Sequence, residues 1–296
     1  MHTIRPPRLH SGSKIALVAP SCAVTQPELD RILICLKSMG LDITVGKSVR
    51  ACDDFTPGPV ELRLADMNWA IQDPAIEGIL CATGGTGAIE LIEHLDYDAF
   101  LHSPKVFVGL SDPDFIVTAL QSQTGVITFH GLTGYNFASE ELMDNYSRTS
   151  FVRTLFDPAP VGPLPAYSNW RVLRPGYASG KLLGGMQFVI TELAGTRFEP
   201  KWDGSIMLIE PNDLKQLQQL KESRLLDRVS GLVVSCQDEY SHNLILEACS
   251  GYDFPILAGV DAGHASPKLT LPIGANAEID LRGSSSIFSI LEPAVE

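Results

Sequence analysis

Short apolar runs rich in β-branched residues alternate with helix-like stretches through the first 120 residues, and this alternation limits the possible folds more than any other feature of the chain. "KIALVAPS" (14–21), "LDITV" (41–45), "EGILCA" (77–82) and "KVFVGL" (105–110) read as strands. After the first of them, "TQPELDRILICLKSMG" carries full helix punctuation: Thr25 can cap, Pro27 sits in the first turn, Glu28 completes a capping box and Gly40 ends the helix. Further helices are expected around 59–73, around 87–95 and from Pro113 onward. Strands alternating with helices predict βαβ units and an open parallel sheet.

The regularity fails between about 134 and 180, where "DPAPVGPLPAYSNWRVLRPG" is proline-rich and reads as a segment crossing between two lobes. It then resumes with a helix around 184–195, the strand "SIMLIE" (205–210), a helix over 213–227, the strand "GLVVS" (231–235), and strands near "ILAGV" and "AEIDL". The expected fold is α/β. An N-terminal open parallel-sheet lobe with a nucleophile elbow spans 1–165, a smaller C-terminal α/β lobe spans 166–296, and the active site lies between them.

Composition narrows the function. A chain of 296 residues that is 45% hydrophobic and 19% charged can bury a sizeable core and is not disordered. A net charge of -13 argues against nucleic acid as a partner, because such binding rests on Lys and Arg neutralising phosphates. The N-terminal apolar run of about five residues is shorter than the roughly 7–15 of a signal peptide, and no run approaches the ~20 residues of a membrane span. A cytoplasmic enzyme without a membrane partner is expected. The cysteines Cys22, Cys35, Cys52, Cys81, Cys236 and Cys249 are spread singly, which suits reduced core thiols, and no cluster of side chains has the spacing of a metal site. No cofactor is implied.

Ligands of open parallel sheets bind beyond the carboxyl ends of the strands. Ser111 in "GLSD" and the loop "ATGGTGA" (82–88) both fall there. A serine on a sharp strand-to-helix turn has its hydroxyl pushed out of the sheet, as in a nucleophile elbow, although Pro113 stands where the second glycine of G-x-S-x-G would be. The competing reading is a helix N-cap, for which Ser and Asp are both common. The glycine loop could donate a backbone N–H to an oxyanion or cradle a phosphate, or be only a tight turn; it lacks the spacing of a dinucleotide or P-loop motif. Glu210 ends a buried strand, an expensive position for an unpaired carboxylate. Of seven histidines, His130 and His264 follow apolar strands and abut glycines. His2 and His10 lie in the N-terminal extension, and His94, His102 and His242 on or beside helices. Each residue alone has a plain structural explanation. Together, Ser111, Glu210 and His264 form a set with the roles of a hydrolytic triad.

The chain resembles the LD-carboxypeptidase family of serine peptidases, which also includes the microcin C self-immunity proteins. The resemblance rests on blocks running nearly end to end: "KIALVAPS", "ATGGTGAIELIEHLDYDAF", "PKVFVGLSDPDFIVTAL", "TGVITFHG", "GKLLGGMQFVITELAGT", "SIMLIEPND" and "GVDAGHASPKLTLPIGANAEID". It implies Ser111 as nucleophile, Glu210 orienting the base His264, the amides of Gly85 and Asp112 as oxyanion donors with Asp112 also free to cap the helix, and a homodimer. Departures from the family pattern fall at Leu110, Thr83, Thr86, Leu132, Met186 and Gln187. They leave the triad intact and bear on substrate recognition, for which Thr86, Trp170, Lys181 and Met186 are candidates.

Three functions follow. The first expectation is a Ser-Glu-His carboxypeptidase removing the terminal D-alanine of a murein tetrapeptide, whose free carboxylate calls for a cation such as Lys181 or Arg174. The alternative is a self-immunity type hydrolase cleaving the amide of a processed aminoacyl-nucleotide antibiotic, with Tyr167 and Trp170 as an aromatic platform for the base. The third is a binding protein that keeps the fold without catalysis.

Overall fold

The structure, a computed structural model, describes residues 3–52, 55–139, 143–211, 216–236, 238–283 and 287–296. His2 and the first residues of the helix expected over 213–227 lie outside them.

In the N-terminal lobe the strands and helices alternate as β1 (Lys14–Val18), α1 (Gln26–Ser38), β2 (Asp42–Val45), α2 (Val60–Gln72), β3 (Gly78–Cys81), α3 (Tyr97–His102), β4 (Val106–Gly109), α4 (Asp114–Thr124) and β5 (Thr128–His130). The strands lie in the order β2-β1-β3-β4-β5, all parallel. Helices cover both faces of such a sheet, so β3 and β4 are buried at every residue and read in sequence as unbroken apolar runs. The capping box of α1 forms as the sequence predicts: the Glu28 carboxylate accepts from the Thr25 amide and hydroxyl, both at 2.8 Å.

The helix expected over 87–95 is instead two short 3₁₀ turns, Ala88–Glu90 and Ile92–His94. Its first turn is held by outside partners. The Ala88 amide donates to the Asp112 carboxylate at 2.7 Å, and the buried Arg63 guanidinium donates to the Gly87 carbonyl at 2.8 Å and the Glu90 carboxylate at 2.5 Å. These contacts tighten the turn before an α-helix can propagate.

After α5 (Asn145–Phe156), the C-terminal lobe contains β6 (Gly162–Pro163), β7 (Arg171–Arg174), β8 (Tyr177–Met186), α6 (Gln187–Leu193), β9 (Ser205–Glu210), α7 (Gln216–Glu222), β10 (Val229–Val234), α8 (Glu239–Ala248), β11 (Ile256–Ala258), β12 (Leu271–Ile273), β13 (Asn276–Asp280) and β14 (Ile287–Ile290). Its sheet runs β6-β14-β13-β8-β9-β10-β11-β7, with β8 to β11 parallel and antiparallel strands on both flanks. β12 leaves this sheet and pairs antiparallel with β5 of the first. The chain termini also meet: the Arg8 amide donates to the Glu296 carbonyl at 2.8 Å, and the Glu296 amide to the Pro6 carbonyl at 3.0 Å. Two α/β lobes are thus stitched together, with a cleft where the carboxyl ends of β3, β4 and β9 converge.

β8 carries two glycines where it runs beside β9. Gly184 has φ +115°, and a Cβ there would lie 2.1 Å from the Leu208 carbonyl oxygen. Gly184→Ala is therefore expected to destabilise the protein by roughly 3 kcal/mol or more, combining left-handed strain with a backbone clash. Urea unfolding measures it, and an unchanged midpoint would show that the strand relaxes freely.

Candidate active site

Ser111 directly follows β4 and its loop residue Leu110, and adopts φ +73°. This left-handed conformation is uncommon for a residue with a Cβ and costs on the order of 1–3 kcal/mol. Its carbonyl accepts the Asp114 amide at 2.9 Å, and the residue capping α4 is Pro113, so the Ser111 hydroxyl is not tied up as a helix cap. Of the two readings of "GLSD", the geometry is that of the elbow: a strained corner projecting a hydroxyl at a helix N-terminus.

The glycine loop passes directly over this serine. A Cβ at Gly84 would fall 2.9 Å from Ser111 Cβ and 3.1 Å from its Oγ. Gly85 has φ +119°, and a Cβ there would lie 2.2 Å from Cys22 Sγ. Arg63 braces the loop from below, donating to the Pro20 carbonyl at 2.7 Å as well as to Gly87. Asp112 serves the same loop rather than capping α4 with its side chain: its carboxylate accepts from Ser21 Oγ at 2.5 Å and from the Ala88 amide. Burial pushes the Asp112 carboxyl upward, opposed by those two donors. The amides of Gly85 and Asp112 donate to no acceptor among the described residues. They lie beside the serine at the positive end of α4, where an oxyanion would need donors.

From the other lobe, β9 delivers Glu210. Its Oε1 accepts from the His264 ring at Nδ1, 3.0 Å away, and from the His264 amide at 2.8 Å. Gly263 allows this approach, having φ +77° and space for no Cβ, which would lie 2.1 Å from Glu210 Oε2. Burial raises the Glu210 carboxyl, and the His264 hydrogen bonds outweigh it, holding the pKa below the usual range. With Nδ1 engaged, the His264 tautomer inferred from that bond leaves Nε2 for the cleft. Lys268 donates to the His264 carbonyl at 3.3 Å, and burial lowers its pKa.

Beneath these groups His130 is fully buried, its Nδ1 3.0 Å from both oxygens of the buried Asp114 carboxylate, which also accepts the Met186 amide at 2.9 Å. Burial disfavours the imidazolium, but Asp114 outweighs it and raises the His130 pKa above its ordinary 6.5. This histidine, which the sequence leaves as a structural candidate, is a structural tie.

Ser111, Gly84, Gly85, His264 and Lys268 line one cleft of about 680 Å³. The same walls carry Asn136, Phe55 and Tyr135, none of which the sequence singled out; the two rings are 59% and 41% exposed. Their only sequence signal is position: Tyr135 and Asn136 follow the "TFHG" block, and Lys268 lies four residues past His264.

The expected substrate contacts are scattered. Trp170 donates from Nε1 to Asp261 at 2.8 Å and packs near Phe288, and Arg174 bonds the Cys249 and Phe254 carbonyls. The Tyr167 ring lies tilted against Tyr146, centroids 5.4 Å apart, and its amide also donates to Asp261. Lys181 lines a separate cavity, Met186 is buried beside Asp114, and Thr86 is exposed with its amide directed at the Cys22 thiol. All six cysteines are free thiols.

Two family descriptions match the chain, the LD-carboxypeptidase N-terminal domain over residues 15–131 and the LD-carboxypeptidase C-terminal domain over residues 179–279. A putative carboxypeptidase of Streptomyces coelicolor is 31% identical over 94% of this chain and 93% of its own length. A probable murein peptide carboxypeptidase of Bacillus subtilis is 28% identical over 96% and 93%. The chain belongs to the LD-carboxypeptidase family and is a serine-type hydrolase. Among solved structures it shares its fold with the microcin C7 self-immunity protein, at a TM-score of 0.88 and 23% identity over 99% of this chain and 100% of that one in a complex with aspartyl sulfamoyl adenosine. Another structure of that protein, 22% identical over the same shares and with the same TM-score, is an active-site mutant in which a serine, an asparagine and a lysine are each replaced by alanine. That residue set overturns the first expectation, a murein-tetrapeptide carboxypeptidase working through a Ser-Glu-His triad. Strand-end position and chain order group Glu210 and His264 with Ser111, and neither signal reports the other polar groups that a folded cleft gathers around a serine.

Two outcomes follow from this geometry. Ser111→Gly removes the strained Cβ and should raise the melting temperature, by about 1 kcal/mol of added stability, while abolishing hydrolysis; a less stable variant would show that the hydroxyl supports the fold. Because the native state binds the His130 proton more tightly than the unfolded chain, this stabilisation is full below the unfolded value near 6.5 and is lost as pH rises through the higher folded value. The stability difference between wild type and Asp114→Asn should therefore narrow across that range, and a constant difference from pH 5 to 9 would remove the linkage.

Proposed function

We propose that the chain is a hydrolase of the self-immunity type, cleaving the amide that joins an amino acid to a nucleotide or nucleoside. The observation that carries this reading is the cleft itself: Ser111 shares its walls with two exposed rings, Phe55 and Tyr135, in a space of about 680 Å³. Stacking of a base on an aromatic ring contributes roughly 1–3 kcal/mol and tolerates any base. Support also comes from the aminoacyl-nucleoside complex of the structural neighbour and from a wall that offers an asparagine and a lysine, Asn136 and Lys268, beside the serine. The aromatic platform thus moves from Tyr167 and Trp170 to Phe55 and Tyr135.

In this proposal Ser111 Oγ attacks the aminoacyl carbonyl carbon, and its proton passes to the basic wall of the cleft where His264, held by Glu210, and Lys268 lie. The amides of Gly85 and Asp112 receive the oxyanion. The C–N bond breaks, the nucleoside amide leaves with a proton, and water then releases the amino acid from Ser111. The resemblance further suggests a homodimer at work in the cytoplasm, with two lobes dividing near residue 165; sedimentation at micromolar protein addresses the assembly. Among the described residues no helix is long and apolar enough to cross a membrane.

Incubation of the wild type and Ser111→Ala with an aminoacyl sulfamoyl adenosine and, separately, with murein tetrapeptide, followed by mass spectrometry, tests the reading. The expected result is serine-dependent release of the amino acid from the nucleoside, with Ser111→Ala slower by about 10³-fold or more. Phe55→Ala and Tyr135→Ala should each raise KM about tenfold with kcat little changed. Release of D-alanine from the tetrapeptide with the nucleoside substrate left intact would overturn it.

A further inference from the structure

A second cavity, of about 320 Å³, opens between the lobes away from Ser111. Gln121 of α4 contributes one wall, Lys181 of β8 and Ser205 of β9 the other, and Lys201 and Asp203 of the preceding loop the rim. These are the elements that build the active site, met at their opposite ends. Gln121 lies seven residues beyond the first residue of α4, about 10 Å along the axis. Lys181 and Ser205 each precede the paired Met186 and Glu210 by five residues, roughly 16 Å of strand.

One buried donor of this cavity, the Ser205 hydroxyl, has no acceptor among the described residues, whereas Ser122 on the same lining donates to the Ala119 carbonyl at 3.2 Å. Ser205 is 2% exposed, and its hydroxyl is buried without a partner among the described residues. The Gln121 side chain lines the cavity from α4 and is 6% exposed, its Nε2 packed beside Gly274. An unpaired buried hydroxyl is destabilising, and a ligand supplying an acceptor would relieve it. The lining carries two positive groups and one negative one. Lys181 and Lys201 are positive, whereas Asp203 is occupied by Arg228 through two contacts of 3.2 Å. Burial lowers the Lys181 pKa, the positive Lys201 acts in the same direction, and Glu292 opposes them, so a nearby anion would hold Lys181 charged.

We propose that this cavity is a phosphoryl-binding site, taking inorganic phosphate or the phosphate of a small monoester between Lys181, Lys201, Ser205 and Gln121. Two ammonium groups and two neutral donors suit the several acceptor oxygens of a tetrahedral dianion better than the two of a carboxylate. A ligand seated there touches α4 from one lobe and β8 and β9 from the other, and so clamps the two halves of the cleft. The inference is independent of which amide Ser111 cleaves.

Isothermal titration of the full chain with inorganic phosphate, at ionic strength held constant with chloride, tests it. The Ser111→Ala variant is titrated in parallel to separate this cavity from the active site, with glycerol phosphate as the monoester probe and acetate as the carboxylate probe. Saturable phosphate binding, equal in wild type and Ser111→Ala and weakened at least tenfold in Lys181→Met and in Ser205→Ala, is the expected result. A monoester binding more tightly than phosphate would identify the esterified form as the better ligand. Absence of binding beyond the chloride control, acetate binding as tightly as phosphate, or full affinity in folded Lys181→Met and Ser205→Ala would each overturn the site.

Discussion

The Asp114 carboxylate is the tie on which the rest of the site depends. It is fully buried at the start of α4 and accepts from His130 at the end of β5 and from the Met186 amide at the end of β8. One side chain therefore joins the first lobe to the second. Gly185 makes the approach possible: a Cβ there would lie 2.6 Å from an Asp114 oxygen. Met186 pairs with Glu210, so the tie also sets where the second lobe's carboxylate stands relative to the Ser111 corner. A buried carboxylate is tolerable only with its lone pairs occupied, and here an imidazole and a backbone amide occupy them.

Strain and bracing are arranged around that tie. Ser111 adopts a left-handed backbone, and the segments pressed against it are over-determined: Gly84 admits no side chain, Arg63 bonds three carbonyls and a carboxylate, and Asp112 gathers Ser21 and Ala88. Within this frame the Gly85 and Asp112 amides donate to no acceptor among the described residues. Donors held in this way need no reorganisation when charge develops on a bound carbonyl. The second lobe brings His264 and Lys268 to the same cleft, and the exposed rings Phe55 and Tyr135 line it from the first, the Tyr135 amide donating to the Ala82 carbonyl at 2.7 Å.

Much of the fold was legible. Buried parallel strands leave unbroken apolar runs, helix caps leave their own residues, and both patterns are local, so β2 to β4, α1 and β9 could be read within a residue or two, while β1 stops three residues before the end of its apolar run. The helix expected over 87–95 failed for a nonlocal reason, since Asp112 and Arg63 reach it from distant segments. The antiparallel return of β12 to the first sheet has no local signature either, because three apolar residues pair wherever an edge is free.

The sequence by itself determined the alternation of strands and helices, the serine at a strand-to-helix corner, and a glutamate and a histidine at the ends of apolar strands. Local propensity and the cost of burying polar groups suffice for those. Only the tertiary structure decided that Ser111 is an elbow rather than a cap, that Glu210 and His264 meet beside Gly263, that Trp170 and Lys181 lie away from the cleft, and that Phe55, Tyr135, Asn136 and Lys268 line it. The wall of a cleft is assembled from segments far apart in the chain, and the distance between two such side chains is fixed by how the lobes pack, a quantity no local pattern contains.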